Sequence, residues 1–365
     1  MTDQRVIALL GRRDAPTDAV EEYCGYLGAA LQPHGFACER VRVPWVERSW
    51  SAALAELRQQ AAGWRGAWVL LQYTALAWSR RGFPLRVPRL MRVLKKSGAR
   101  CAVVFHDVHP YSGSRVVDSI RQTFQQHAMR ETFRLADLAF FTILPETLAW
   151  VPDQPHKALF IPVGANLPAP ERFWSTAEKD PAAPLGVAVF GVTGGTNIAR
   201  EVRVIAQAVH FATPPAGRLR LVVLGRNSQE ARGAFERELD ASRIELQTLG
   251  VLPAEDVART LAQADVLLFA RGQISTRRSS ALAGVACGLP VVAYSGPDTT
   301  APITEAGVVL VKEDDREGLA AALERVLRDA PLRSALRERS RRAQERYFSW
   351  SAIAAHYAEA LRNSG

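Results

Sequence analysis

The chain is poor in the features that mark several common protein classes. Of 365 residues only four are cysteine, Cys24, Cys38, Cys101 and Cys287, and no two are spaced as metal ligands. Each lies in an apolar helix or strand pattern, which predicts reduced, buried thiols in a cytoplasmic protein. No apolar run reaches the roughly 20 residues that span a bilayer. The opening MTDQRVIALLGRRD holds one short apolar run, closed by Gly11-Arg12-Arg13-Asp14. It reads as a first strand rather than a secretion signal. Zinc spacing, an aromatic ribonucleoprotein strand and a basic zipper are all missing, so no nucleic-acid partner is expected. Acidic residues number 37 against 46 Lys and Arg, which leaves a net charge of +9. That excess suits nucleotide phosphates or an acidic membrane surface; solvated arginine faces with no partner account for it equally.

What is present is a regular alternation. Hydrophobic residues make up 48% of the chain, enough for full cores, and the length suggests two domains. Strands are expected over residues 5–10, 36–43, 68–71, 100–105, 138–143 and 158–161, with helices between them. Residues 167–184, rich in Pro and Ala, break the periodicity as an interdomain linker would. The pattern restarts with strands over 185–190, 218–224, 244–249, 266–269, 290–293 and 306–310, and a last helix over 350–361. Strands alternating with helices predict an α/β protein whose parallel sheets are wrapped on both faces. Ligands then bind at the carboxyl ends of the strands.

Several strand ends carry polar groups. His106 beside Asp107 has the makings of a group that orients or protonates a reacting atom, or of a histidine hydrogen-bonded into its loop. Gly191, Gly194, Gly195, Thr196 and Asn197 form a strand-loop-helix turn whose N–H groups can approach a phosphate. The turn lacks the Gly-Lys-Ser/Thr ending and the dinucleotide glycine spacing. A turn that needs positive φ explains its glycines as well. Arg226 follows the next strand. Arg277, Arg278, Ser279 and Ser280 lie in a polar loop, 271–280, ahead of a small-residue helix over 281–287. There the serines can cap the helix and the arginines can face an anion or pair with surface carboxylates. Arg80, Arg81, Arg86, Arg89, Arg92, Lys95 and Lys96 interleave with Trp78, Phe83, Leu85, Val87, Leu90 and Met91. That stretch reads as a dock for an anionic bilayer or as an ordinary helix with its cationic face in water.

Ala264-Asp265-Val266-Leu267-Leu268, followed by Leu282-Ala283-Gly284-Val285-Ala286-Cys287-Gly288-Leu289-Pro290-Val291-Val292, resembles the signature segment of glycosyltransferases of the GT-B fold, in particular retaining family 4. Leu249-Gly250-Val251-Leu252-Pro253, Pro162-Val163-Gly164-Ala165-Asn166 and Phe348-Ser349-Trp350 resemble further family segments. The resemblance implies two Rossmann-like domains that face each other. An acceptor domain spans 1–170, with helix 346–365 crossing back onto it, and a donor domain spans 185–345. It also implies transfer from a nucleoside-diphosphate sugar, with retention and without a metal or other cofactor. The acceptor would be a small molecule, a polysaccharide or a lipid-linked group. The protein would then be cytoplasmic, and peripheral at the inner membrane face if the basic stretch docks. By the same resemblance His106 and Asp107 stand near the donor sugar, Gly11 and Asp14 beside sugar and phosphates, and Gly250, Val251 and Leu252 beside the nucleobase.

The departures fall on the donor site. Ser275 and Ala283 stand where the family carries two glutamates, and Val192 where it commonly carries an arginine. A leaving nucleoside diphosphate develops negative charge, so Arg277, Arg278, Ser279 and Ser280 are expected to replace the lost clamp. The competing readings are an inactive nucleotide-sugar binder or partner subunit, and an epimerase or phosphorylase on the same fold.

Overall fold

The structure, a computed structural model, describes residues 4–364 apart from 112, 114, 175–182 and 216. Ser112 of the loop after the fourth strand and the centre of the expected linker lie outside the described residues. The chain forms two compact units, Met1–Val163 with Trp350–Gly365, and Gly164–Ser349.

The first unit holds strands β1 (Gln4–Leu10), β2 (Phe36–Arg42), β3 (Trp68–Tyr73), β4 (Arg100–Phe105), β5 (Leu138–Phe141) and β6 (Ala158–Phe160). They pair in parallel in the order β2-β1-β3-β4-β5-β6. Every residue of β3 is buried, as a central strand covered on both faces requires, whereas the edge strand β2 leaves Ala37, Glu39 and Arg40 exposed. Helices α1 (Ala19–Leu31), α2 (Trp50–Ala61), α3 (Val87–Lys96) and α4 (Val116–Leu135) cover the sheet. Asp18 caps α1, its Oδ1 accepting from the N–H groups of Val20 and Glu21 at 3.1 Å each. Trp78, Val87, Leu90 and Met91 are core residues. Only the basic side chains of α3 face solvent, so its apolar residues cover the sheet and are not available to enter a bilayer.

The second unit holds β7 (Leu185–Phe190), β8 (Leu219–Leu224), β9 (Ile244–Gly250), β10 (Val266–Gln273), β11 (Val291–Ser295) and β12 (Val308–Lys312). Their order is β12-β11-β10-β7-β8-β9. Helices α5 (Ile198–Ala212), α6 (Ser228–Glu238), α7 (Ala254–Ala262), α8 (Ser279–Ala286), α9 (Arg316–Arg328) and α10 (Ala330–Ala343) flank it. The last helix, α11 (Trp350–Asn363), returns to the first unit. It buries Ile353, Ala354, Tyr357 and Leu361 there. The Tyr357 and Tyr23 hydroxyls lie 3.0 Å apart, and the Trp68 indole N–H donates to the Leu361 carbonyl at 3.2 Å.

The strand expected to end at Phe269 runs on to Gln273. A register shift between Phe269 and Gln273 lets β10 stay paired with β11 past the polar Arg271-Gly272 step. Ser279 and Ser280 do not cap α8. They occupy its first turn behind Arg278, and no side chain caps that end. Burial pushes three thiols up, Cys38 to about 11 and Cys101 and Cys287 to about 12, so these are inert packing groups. Among the described residues no helix is long and apolar enough to cross a membrane.

Candidate functional site

In each unit the chain reverses its direction of winding once, and such a switch point opens a crevice at the carboxyl ends of the strands. In the second unit this point lies between β7 and β10. Gly191, directly after β7, has φ +79°, and a Cβ there would sit 3.1 Å from Nη1 of Arg271. The turn residues Gly194, Gly195, Thr196 and Asn197 are exposed at the start of α5. Glu201 in the first turn of α5 accepts from the Thr193 N–H at 3.0 Å and so fixes the turn. The neighbouring strand ends are stitched to it through backbone bonds. Gly191 N–H donates to the Leu224 carbonyl at 2.7 Å, Val192 N–H to that of Arg226 at 3.1 Å, and Gly225 N–H to that of Gly250 at 2.6 Å. Gly250 is held again by the Ser228 hydroxyl, which accepts from its N–H at 3.0 Å. Beyond it Val251 is exposed and Leu252 half-buried.

The end of β10 and the loop after it gather cations. Arg271, Arg277 and Arg278 are half-buried, and the Nε of each is buried without a hydrogen-bond partner. Arg271 Nη2 donates to the Ser280 hydroxyl at 2.7 Å. Arg277 has one loose ion pair, 3.8 Å to Asp298. Among the described residues no hydrogen bond or ion pair joins the Arg278 guanidinium to the protein. Burial, then the charges of Arg277 and Arg271, lower Arg278 to about 10, which leaves it protonated at neutral pH. Burial also lowers Arg271, with Glu201 opposing and Arg226 adding to the effect. Desolvated like charges with unmet donors are costly as they stand, and an anion relieves both costs. A cavity of 350 Å³ opens beside Arg271, lined also by Thr193, Asn197, Glu201 and Tyr294. Arg271 escaped the sequence reading of the site because it follows an apolar strand and looks like the start of a loop.

The two glutamate positions are closed. Ala283 is buried within α8, and Ser275 is 1% exposed with its Oγ unpartnered.

In the first unit the switch point lies between β1 and β3. A cavity of 250 Å³ opens there, lined by Gly11, Arg12, Asp14, Asp18, Arg42, Gln72, Thr74 and Asp107, among others. Asp107 Oδ2 accepts from the Ala75 N–H at 2.7 Å, which commits it to holding the loop after β3. Asp14 N–H donates to Asp18 Oδ2 at 3.3 Å. His106 is set just behind. Its Nε2 lies 2.8 Å from Oε1 of the buried Gln72, whose Nε2 donates to the Leu70 carbonyl at 3.1 Å. The Gln72 oxygen must therefore accept, so His106 Nε2 carries the hydrogen. The ring meets Tyr23 edge-on at 5.1 Å, which links it through Tyr357 to α11.

Burial lowers His106 to about 4, with Asp18 opposing. Its imidazole is neutral at pH 7 and fits the orienting role, not that of a proton donor of imidazolium type. The folded chain then binds fewer protons than the unfolded chain between about pH 4 and the ordinary histidine range near 6.5. Stability from this group is full above that range and is lost as pH falls through the window. We expect the His106 ring resonance to titrate near pH 4, and His106→Gln to remove that part of the acid dependence in denaturant melts. A midpoint near the unperturbed histidine value would contradict it.

Residues 188–329 match the family model described as Glycosyl transferases group 1. A comparison with curated proteins finds no significant match. Solved structures match over nearly the whole chain. Anabaena Alr3699/HepE in complex with UDP has a TM-score of 0.67 at 14% identity, covering 99% of this chain and 100% of that one. Sucrose-phosphate synthase from Thermosynechococcus elongatus has 0.66 at 18% identity, covering 99% and 98%. A glycosyltransferase from Rickettsia africae has 0.69 at 11% identity, covering 100% and 99%. Residues 188–329 are thus similar to a glycosyltransferase group 1 domain, and the two-unit chain has the GT-B fold of these solved structures.

Proposed function

We propose that the protein is a glycosyltransferase that moves a sugar from a nucleoside-diphosphate sugar to an acceptor hydroxyl, with retention and without a metal. The observation that carries this reading is the set of three half-buried arginines with unmet donors, Arg271, Arg277 and Arg278, at the switch point of the second unit. A diphosphate supplies the acceptors they lack. As the bond from C1 to the β-phosphate oxygen breaks, its electron pair stays on phosphate, and cations already fixed there stabilise the growing charge. The exposed N–H groups of Gly194, Gly195, Thr196 and Asn197 and the first turn of α8 at Ser279 and Ser280 add donors. Arg226 contributes to the same positive field. Gly250, Val251 and Leu252 border the base. Gly11, Asp14, His106 and Asp107 shape the sugar side, His106 and Asp107 by orientation. The complexes of Anabaena Alr3699/HepE with UDP and with UDP-glucose support this donor class. No further cofactor is required.

A second reading, a nucleotide-sugar binder without turnover, is favoured by the closed positions Ser275 and Ala283. Thermal shift with nucleoside diphosphates and their sugars tests both. Donor at about 100 times its Kd should raise stability by about 2.7 kcal/mol, roughly 5–10 °C. Slow hydrolysis of bound donor marks the enzyme, and its absence marks the binder. If no nucleotide shifts the transition, both readings fail.

A further inference from the structure

Helix α4 is built inside out over its first three turns. Its buried residues there are Asp118 and Gln125, while Val116, Val117, Ile120 and Phe124 are exposed, Val116 at 80%. Val116, Ile120 and Phe124 follow each other at four-residue steps and form one stripe. Beyond Gln125 the pattern reverts, with Met129 and Phe133 in the core. A helix that served only to cover the sheet would place its apolar residues inward throughout.

The stripe is held rigidly and extended by its neighbours. Gln125 donates to the Gly82 carbonyl at 2.8 Å and accepts from the Tyr111 N–H at 2.6 Å. Phe124 meets the Phe83 ring at 5.9 Å, and Leu85 and Tyr111 are exposed beside it. Arg121 lies over the rings of Phe83 and Tyr111 and donates to the Arg81 carbonyl at 3.1 Å. The sequence that carries the stripe and the turn is strongly basic. Residues 80–134 hold twelve Lys or Arg and three Asp or Glu, an excess equal to the net charge of the whole chain, +9. Asp118 is buried and engaged by Arg115 and Arg121, so it does not offset that field at the surface.

We propose that the first half of α4 and the Phe83–Leu85 turn form a docking surface for an anionic lipid bilayer. Aliphatic and aromatic side chains enter the headgroup boundary while the surrounding arginines meet lipid phosphates. Of the apolar side chains that the sequence pattern offered for this role, Trp78, Val87, Leu90 and Met91 belong to the core, while Phe83 and Leu85 stay at the surface; the structure adds Val116, Ile120 and Phe124 next to the same arginines. Docking favours a lipid-linked acceptor among the three classes. That choice rests on the glycosyl-transfer reading, whereas vesicle binding does not, so the two fail separately.

The test is co-sedimentation of the full chain with vesicles of phosphatidylcholine containing about one quarter phosphatidylglycerol, against phosphatidylcholine alone. The anionic vesicles should bind about 10-fold or more tightly, and salt should weaken that binding. Ile120→Asp with Phe124→Asp should lose about 10-fold or more, and so should Arg81→Glu with Arg86→Glu. Both variants should still shift their melting temperature with a donor nucleotide wherever the parent does. Phe211→Asp, at an exposed apolar site in the second unit, should bind like the parent. Equal binding to both vesicles, no binding, or full binding by both double variants would overturn the proposal. So would a parent dimer that the Ile120→Asp, Phe124→Asp variant splits, since that marks the stripe as a protein interface.

Discussion

Replacing Arg277 and Arg278 together by alanine should lower turnover by roughly 1,000-fold or more while leaving the melting temperature unchanged or higher. The two halves of that result have different causes. A single preorganised donor aimed at developing charge is worth about 100–1,000-fold in rate. Arg278 has no protein partner for its guanidinium among the described residues, and Arg277 has only the 3.8 Å approach to Asp298. Neither therefore contributes much to folding. Their mutual repulsion, which together with burial brings Arg278 down to about 10, is relieved when they are removed. Arg278→Lys should recover part of the rate, since it restores charge without the planar fork. Single-turnover donor cleavage and a thermal melt on the same samples decide the matter. Unchanged turnover would remove these arginines from the donor site, and a large fall in melting temperature would make them structural.

The second large effect is expected at Gly11. A Cβ there would sit 2.4 Å from the Ala77 carbonyl oxygen and 3.1 Å from the Trp78 ring. The same oxygen accepts from the Arg12 N–H at 2.8 Å and from the Trp45 indole at 2.9 Å. Because the obstacle is backbone, it cannot swing aside as a side-chain tip would. Gly11→Ala must push the loop after β3 away and loosen both bonds. Overpacking of this kind costs about 1–3 kcal/mol. Urea unfolding should show that loss. A stable Gly11→Ala variant would mean that the two loops separate at no cost.

The sheets were legible because their strands are apolar runs bounded by polar strand ends, and His106 and Gly191 fall at those ends. Legibility failed where chemistry and local pattern conflict. Arg271 belongs to β10, yet nothing in an Arg-Gly step announces a strand, since the pairing that extends it comes from β11. Trp78, Leu90 and Met91 look available beside so many arginines, and only the packing of α3 shows that they are core. Val116, Ile120 and Phe124 have the opposite history. Apolar residues at helical spacing read as a buried face, and the inversion becomes visible only once Asp118 and Gln125 are seen inside. Ser275 and Ala283 were legible as departures from a family pattern, but their closure against solvent was not.

The return of α11 to the first unit has a consequence for how the chain is made. Tyr23 and Trp68, in the first fifth of the sequence, take hydrogen-bond partners from Tyr357 and Leu361. During synthesis every strand of the first unit leaves the ribosome before the helix that covers this face of it. The second unit, by contrast, is continuous from Gly164 to Ser349 and has all its parts in hand earlier than its predecessor does. The amino-terminal half therefore waits on the carboxyl-terminal one, with an apolar face around Tyr23, Cys24 and Leu27 uncovered in the interval. That face is where a chaperone would find the nascent chain, and where a truncated chain would aggregate.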